Sequence, residues 1–368
     1  MTVPFSPAIE SALLTQLGGT PRPKDWAKSV QKLSNHYVAE PDSISPWSQD
    51  YAREALLSYF HPLNQARANR VASKGAELGF FDGLDNWIDV GCGSGAASLG
   101  FLEALNELKM PAPSAIELSD HSHDITMMAK TLNEKSGLKP TTVTTSHQSL
   151  TFLKKESLPQ GTLLILSYVL TESAPNALSS LIKRLPGLEA VALLEPSTSQ
   201  DARRLQALRP VLIEAGFQLW APCTHHDECP LLKDSDRDWC HDRLIPKVPS
   251  WWTALEADLP MKNKTVTVSY LLARRKPRAP HAKEVRVIGD RLDEKTKVRQ
   301  MICRGDQREF LSWFPSRLKQ EAETFYLARG DRFNSDDSFW KDPRGIDRSR
   351  EWRLDLEAIR AIESTLKN

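Results

Sequence analysis

The chain has 368 residues, 40% hydrophobic and 26% charged, and its 48 Lys and Arg balance 47 Asp and Glu. That is a soluble globular composition, long enough for two ordinary domains whose cores need no disulfide staples. It excludes a global bias toward nucleic acid or membrane, so any basic surface is local, and no apolar run approaches the roughly 18 residues of a membrane span.

The N-terminus, MTVPFSPAIESALLTQLGG, carries Glu10 before its first basic residue, Arg22. Neither a secretory leader nor an Arg-rich transit peptide is expected, which points to the cytosol. Apolar residues recur at three-to-four spacing in IESALLTQL and LNQARANRVASKGAELGFF, predicting a helical extension over residues 1–80. Short apolar or β-branched runs follow: WIDVG (87–91), SAIEL (114–118), TTVTTS (141–146), TLLILSYVL (162–170) and AVALLE (190–195). Separated by helix-like stretches, they read as parallel strands of a doubly wound α/β domain spanning 81–275. FQLWAP (217–222) and TVTVSYLLAR (265–274) supply its last strands, around a cysteine-rich insertion at 223–262 that also holds Trp251 and Trp252. After the basic linker RRKPRAPHAK, the run EVRVIGDRLDEKTKVRQMICR predicts a hairpin about Asp293-Glu294-Lys295. It opens a small β-domain at 276–330, and residues 331–368 read as a charged, partly helical tail.

Between the first strand and the next helix lies DVGCGSG, Asp89 to Gly95. Gly91, Gly93 and Gly95 let the backbone approach a ligand where a Cβ would obstruct it. Taken alone, the triplet also suits a tight strand-to-helix turn, with Cys92 a small packing residue. The spacing differs from the dinucleotide fingerprint and resembles the first motif of class I S-adenosylmethionine-dependent methyltransferases. That resemblance implies that the loop lies against the methionine part of the cofactor and that Asp89 orients its ammonium. It also implies that Glu117, at the end of the next strand, takes both ribose hydroxyls. The methyl acceptor is not legible. Ser167-Tyr168-Val169-Leu170-Thr171-Glu172 lacks a Pro-Pro-aromatic signature, no nucleophilic cysteine is nearby, and no Lys-Asp-Lys-Glu set is assignable. Tyr168 and Glu172 either face the methyl group or serve packing and helix capping, and no catalytic residue is assigned.

Residues 223–241, CTHHDECPLLKDSDRDWCH, hold three of the 5 cysteines and three of the 9 histidines. With Cys92 set aside, Cys223, Cys229, Cys240 and the distant Cys303 provide four thiols, enough for tetrahedral zinc or a 4Fe-4S cubane. No short two-cysteine knuckle of the kind structural zinc favours is present, whereas a cubane takes one thiolate per iron from separate loops. In a zinc site, His225, His226 or His241 would replace Cys303; otherwise they are exposed or hydrogen-bonded loop histidines. A disulfide is disfavoured in a reducing compartment.

DVGCGSG, LLEPSTSQDARRLQALR, APCTHHDECPLL, RDWCH and RQMICRGD together resemble the methyltransferase-like family that acts in assembly of the mitochondrial small ribosomal subunit, bacterial relatives included. The resemblance covers roughly residues 50–320. It implies a class I methyltransferase-like fold, a 4Fe-4S cluster on Cys223, Cys229, Cys240 and Cys303, and association with small-subunit ribosomal RNA. Two other readings stay open: a non-catalytic assembly factor using the fold as an RNA-binding scaffold, and a small-molecule methyltransferase with structural zinc. In the leading reading the cluster clamps the insertion to the C-terminal β-domain. Arg274, Arg275, Lys276, Arg278, Lys283 and Arg286 form either an RNA-phosphate patch or a solvated linker. Trp251 and Trp252 either stack on bases or shield the cluster, and FLSWF (310–314) reads as core. The oligomeric state is not legible.

Overall fold

The computed structural model describes residues 5–40, 45–138, 142–148, 153–171, 173–174, 176–278, 284–318, 325–335 and 351–366. They form two compact units: 1–195 with 244–266 and 272–275, and 196–243 with 267–271 and 276–368. Among the described residues no helix is long and apolar enough to cross a membrane.

The first unit opens with helices α1 (Pro7–Gln16), α2 (Pro23–Ala39), α3 (Asp50–Ala55) and α4 (His61–Ala76). Proline stands in the first turn of α1, α2 and α4, where its missing N–H costs nothing. In α2, Trp26, Val30 and Leu33 recur at helical spacing and are buried. They join a core that also contains Trp251 and Trp252. Trp251 meets Trp26 edge-on at 5.5 Å and donates to the Ser58 carbonyl, while Trp252 stacks on Tyr59 at 4.8 Å. The tryptophan pair is thus interior to the first unit. It presents no face to bases.

Strands β1 (Asn86–Val90), β2 (Ala115–Ser119), β3 (Thr142–Ser146), β4 (Thr162–Ser167) and β5 (Ala190–Glu195) pair in parallel in the order β3-β2-β1-β4-β5. Helix α5 (Ala96–Glu107) follows β1 and α6 (His123–Lys135) follows β2. β5 is buried along its whole length and β4 in all but its last residue, as expected of parallel strands covered on both faces. α4 crosses α5 so closely that a Cβ on Gly100 would lie 2.4 Å from the Gln65 carbonyl oxygen. The doubly wound α/β expectation is met: the fold is class I methyltransferase-like.

β8 (Val266–Arg274) runs through both units and neighbours β5 in the first and β6 (Gln218–Ala221) in the second. The short strand β7 (Asp242–Leu244) also pairs with β8. The second unit adds a sheet of β9 (Glu284–Val287), β10 (Leu292–Asp293), β11 (Val298–Arg304), β12 (Gln307–Trp313), β13 (Arg332–Asn334) and β14 (Glu351–Arg353), ordered β13-β9-β11-β12-β14 with β10 on β11. The hairpin about 293–295 is present as the antiparallel β10–β11 pair. Two boundaries move. The sheet does not end at residue 330, because β13 and β14 extend it and helix Leu356–Leu366 buries Ile359 and Ile362 in its core. The insertion also divides at 243/244, its cysteine part belonging to the same unit as the C-terminal sheet. Leu311 and Trp313 are core residues, as read from FLSWF.

Candidate functional site

Two places in the molecule gather chemistry. In the first unit, the last two residues of β1 lead into the glycine loop. Gly91, Gly93 and Gly95 all adopt left-handed φ, 67°, 50° and 75°. At Gly91 glycine is required twice, because a Cβ would also lie 2.5 Å from Val169 Cγ2. At Gly93 a Cβ would meet nothing within 4 Å, so open space borders the loop at its tip. Asp89 has no exposed surface; its Oδ2 accepts the Ser98 amide at 3.3 Å, and its Oδ1 has no hydrogen-bond partner. Burial raises its carboxyl to about 7, against the opposing Ser98 hydrogen bonds. A buried carboxylate with one unused oxygen is set up to accept from a cation.

Glu117 is not where the sequence reading put it. β2 continues to Ser119, so Glu117 sits mid-strand, in register with Ile88 rather than Asp89 and therefore on the opposite face. Both its oxygens accept from Lys155 Nζ at 2.9 Å. The strand-end carboxylate is Asp120, 4% exposed. Its Oδ2 accepts the Gly93 amide at 3.0 Å and its Oδ1 the Ser122 amide at 3.2 Å. The polar run Ser119-Asp120-His121-Ser122 after the last apolar residue, Leu118, is the signal that would have found it.

His61, missed at sequence level, braces this loop. His61 of α4, fully buried, meets Ser94 Oγ at 2.7 Å through Nδ1 and Gln65 Oε1 at 3.2 Å through Nε2. Gln65 gives its amide N–H to Glu103, so its oxygen faces His61; Nε2 then carries the proton and Nδ1 accepts from Ser94. Burial lowers His61 to about 4, keeping it neutral. Beyond β4, Glu195 accepts the amides of Leu170 and Thr171 and the Thr171 hydroxyl. Tyr168 holds a left-handed φ of 63°, and the Arg67 guanidinium lies 5.9 Å from its ring. Glu172 lies outside the described residues.

The second unit brings the four cysteines together. Cys229, Cys240 and Cys303 share one buried cluster with Leu231 and Ile288. Cys223 is half-buried, near enough to Cys229, Cys240 and Cys303 for their charges to couple. All are free thiols. Burial raises Cys223 to about 11, Cys303 well above the ordinary thiol range, and Cys229 upward. One guanidinium shapes the loop: Arg203 of helix Ser199–Gln206 donates to the carbonyls of Leu231, Ser235 and Asp238. The Ser269 hydroxyl holds the Cys240 carbonyl at 2.9 Å. His226 accepts the Leu219 amide and fits the hydrogen-bonded reading, but His225 and His241 are not solvent-exposed. His225 Nε2 lies 3.6 Å from Cys303 Sγ. Among the described residues, no group of three or more His, Cys, Asp or Glu is placed to hold a single metal ion.

The basic run is largely spent inside the fold. Arg274 pairs with Glu189, Arg278 with Glu284 and Arg286 with Asp242, their side chains 6%, 7% and 2% exposed. Arg275 donates to the Leu188 carbonyl, Lys276 is exposed, and Lys283 lies outside the described residues. A solvated basic patch is therefore not what this stretch forms.

A family model described as mitochondrial small ribosomal subunit Rsm22 matches residues 84–332. No curated protein matches the chain. Among solved structures, magnesium protoporphyrin IX methyltransferase from Synechocystis PCC 6803 with bound SAM is 13% identical, covering 67% of this chain and 97% of that one with a TM-score of 0.35. TrmK from M. capricolum, in complex with S-adenosyl-homocysteine, is 10% identical over 58% of this chain and 70% of that one, TM-score 0.33. The family match carries the assignment; these structures superpose too loosely to add to it.

Proposed function

The chain belongs to the Rsm22 family, and we propose that it binds S-adenosylmethionine at the glycine loop, carries a 4Fe-4S cluster on Cys223, Cys229, Cys240 and Cys303, and acts in the cytosol on the small ribosomal subunit or its RNA. The observation that carries the cofactor assignment is the unpaired Asp89 Oδ1, buried at the root of a loop whose tip borders open space. A buried carboxylate is costly unless something cationic completes it, and an amino acid ammonium does so. Asp120, rather than Glu117, is the carboxylate suited to two adjacent ribose hydroxyls: it ends β2 and already contacts the loop through the Gly93 amide. When bound, the cofactor supplies an electrophilic methyl group. The chain's own residues orient it: Asp89 by charge, the loop by close backbone approach, and His61 by fixing Ser94.

Four free thiols, Cys229, Cys240 and Cys303 in one buried cluster and Cys223 half-buried, support a metal group, because buried thiols need a cation to exist as thiolates. A single zinc ion requires each sulfur about 2.3 Å from one point. The cysteines come from separate loops with no short two-cysteine knuckle, a spacing that suits a cubane taking one thiolate per iron. With four protein ligands such a cluster leaves no iron open to substrate, so its role is to pin the cysteine loop to β11. Both segments lie in the second unit, making this a clamp within one unit rather than between domains.

Anaerobic purification with metal analysis, together with sequencing of co-purified RNA, tests the reading. About four irons per chain and enrichment of small-subunit RNA are expected. One zinc and no iron sinks the cluster, and absence of small-subunit RNA sinks the ribosomal assignment.

A further inference from the structure

The C-terminal sheet sets arginines over aromatic rings, and at most of these places the arginine has its own carboxylate. Arg299 of β11 lies 4.2 Å from the Phe310 ring centre and pairs with Glu294 at 3.2 Å and Glu351 at 3.1 Å. Arg304 lies 5.2 Å from Trp352 and gives Nε and Nη2 to the two oxygens of Glu309. Arg291 lies 5.8 Å from Trp313 and pairs with Asp293 at 2.9 Å. Phe314 departs from this pattern. Two guanidiniums stand over its ring, Arg317 at 4.8 Å and Arg353 at 4.7 Å from the centre, and among the described residues no carboxylate pairs with either.

The backbone explains how the three meet. β12 and β14 run parallel with Ser312 opposite Arg353, so their C-terminal ends coincide. Trp352 and Leu354 join Leu311 and Trp313 in the core, and strand alternation turns Arg353 to the other face, where it meets Phe314. The stretch FLSWF therefore divides: Leu311 and Trp313 are interior, whereas Phe314 is half-buried beside an exposed Arg317 and a half-buried Arg353. An aromatic face attracts a guanidinium but neutralises no charge, and two like charges gathered at one ring repel each other. An anion reached by both forks completes the arrangement. Guanidinium binds phosphate through parallel N–H donors, and aromatic rings and guanidinium planes both stack on unpaired bases. Unpaired RNA offers phosphate and a free base face together; a duplex keeps its bases stacked inside, and an acidic peptide offers charge without the planar ring.

Resting on the RNA reading above, we propose that Phe314, Arg317 and Arg353 form a contact surface for single-stranded RNA, the guanidiniums taking backbone phosphates and the ring taking a base. The surface lies wholly within the second unit and uses neither the thiols nor the glycine loop.

The test is fluorescence anisotropy of a labelled, unstructured RNA of about 12 nucleotides, within the usual span of single-strand sites, titrated with the full chain from about 50 to 200 mM salt. Circular dichroism reports folding. Arg317→Gln with Arg353→Gln should bind about tenfold more weakly, and the slope of log affinity against log salt should shrink by about 0.7 for each phosphate contact removed. Phe314→Leu should weaken binding about tenfold with the salt slope unchanged, since stacking releases no counterions. Lys24→Gln with Lys32→Gln, which removes the same charge from exposed positions of α2, should stay within about twofold. An arginine pair variant with wild-type affinity and slope, or a lysine control that loses as much, overturns the assignment. If the arginine variant does not fold, Phe314→Leu decides: weakened binding at unchanged slope supports the surface, and wild-type affinity overturns it. Equal affinity for a blunt duplex of the same length overturns the single-strand assignment, and displacement of the RNA by polyglutamate at equal charge overturns the choice of nucleic acid over an acidic peptide. A wild-type chain that binds no RNA probe overturns this inference, while the ribosomal reading is judged separately by the RNA that co-purifies.

Discussion

The glycine loop and the thiol pocket solve opposite problems. The loop is built from consecutive residues and works through backbone: three left-handed glycines, one buried carboxylate with a free oxygen, and open space at Gly93. The thiol cluster is built from side chains spread over residues 223–303 and is packed with Leu231 and Ile288. A site that exchanges its ligand keeps an opening and one unmet polar group. A site that holds a permanent group surrounds it with packed side chains. Loss of the first should cost binding, and loss of the second should cost structure.

The largest expected effect breaks that contrast at its structural end. Cys303→Ser should destabilise the second unit by more than about 4 kcal/mol, as loss of a structural metal does, while the first unit's protease resistance is retained. Limited proteolysis with mass mapping checks it; uniform loosening of both units would contradict the division of labour. Gly91→Ala comes next. A left-handed alanine whose Cβ meets Val169 should cost about 3 kcal/mol in thermal unfolding, and Val169→Ala in the same chain should recover the steric part only.

Asp89→Asn should lower S-adenosylmethionine affinity by about tenfold to a hundredfold, the worth of a charged hydrogen bond, with little loss of stability. The pH dependence sharpens this. Between an unfolded value near 3.9 and the native value of about 7, the folded protein holds a proton on Asp89 that the unfolded chain has released. Stability of the free protein therefore falls as pH rises from about 4 to 7, by up to about 4 kcal/mol, and Asp89→Asn should flatten that slope in denaturant titrations. The smallest effect separates the two carboxylates of β2 and its end. Asp120→Asn should weaken cofactor binding about tenfold, whereas Glu117→Gln, which removes the charge paired with Lys155, should leave it within about twofold. The reverse order, by calorimetry, would restore Glu117.

Much of the first unit was legible in the sequence because parallel strands buried on both faces must be apolar throughout, as TLLILS and AVALLE are. The loop was legible because glycine is the residue that takes positive φ without steric cost. Glu117 was misplaced because strand ends are set by hydrogen bonding that composition does not reveal, and a shift of one residue reverses the face. The basic run misled for a related reason: Arg274, Arg278 and Arg286 look like surface charge until Glu189, Glu284 and Asp242 arrive from distant segments. Strands β13 and β14 are three residues each in charged surroundings, too short to show a period.

The measurement that bears most directly on the central claim is calorimetric titration of the wild-type chain with S-adenosylmethionine from pH 6 to 8. A single site is expected, with affinity rising toward about pH 7 as Asp89 gives up its proton to meet the cofactor's ammonium, and levelling above it. No binding heat at any pH, or an affinity that Asp89→Asn leaves unchanged, would contradict it.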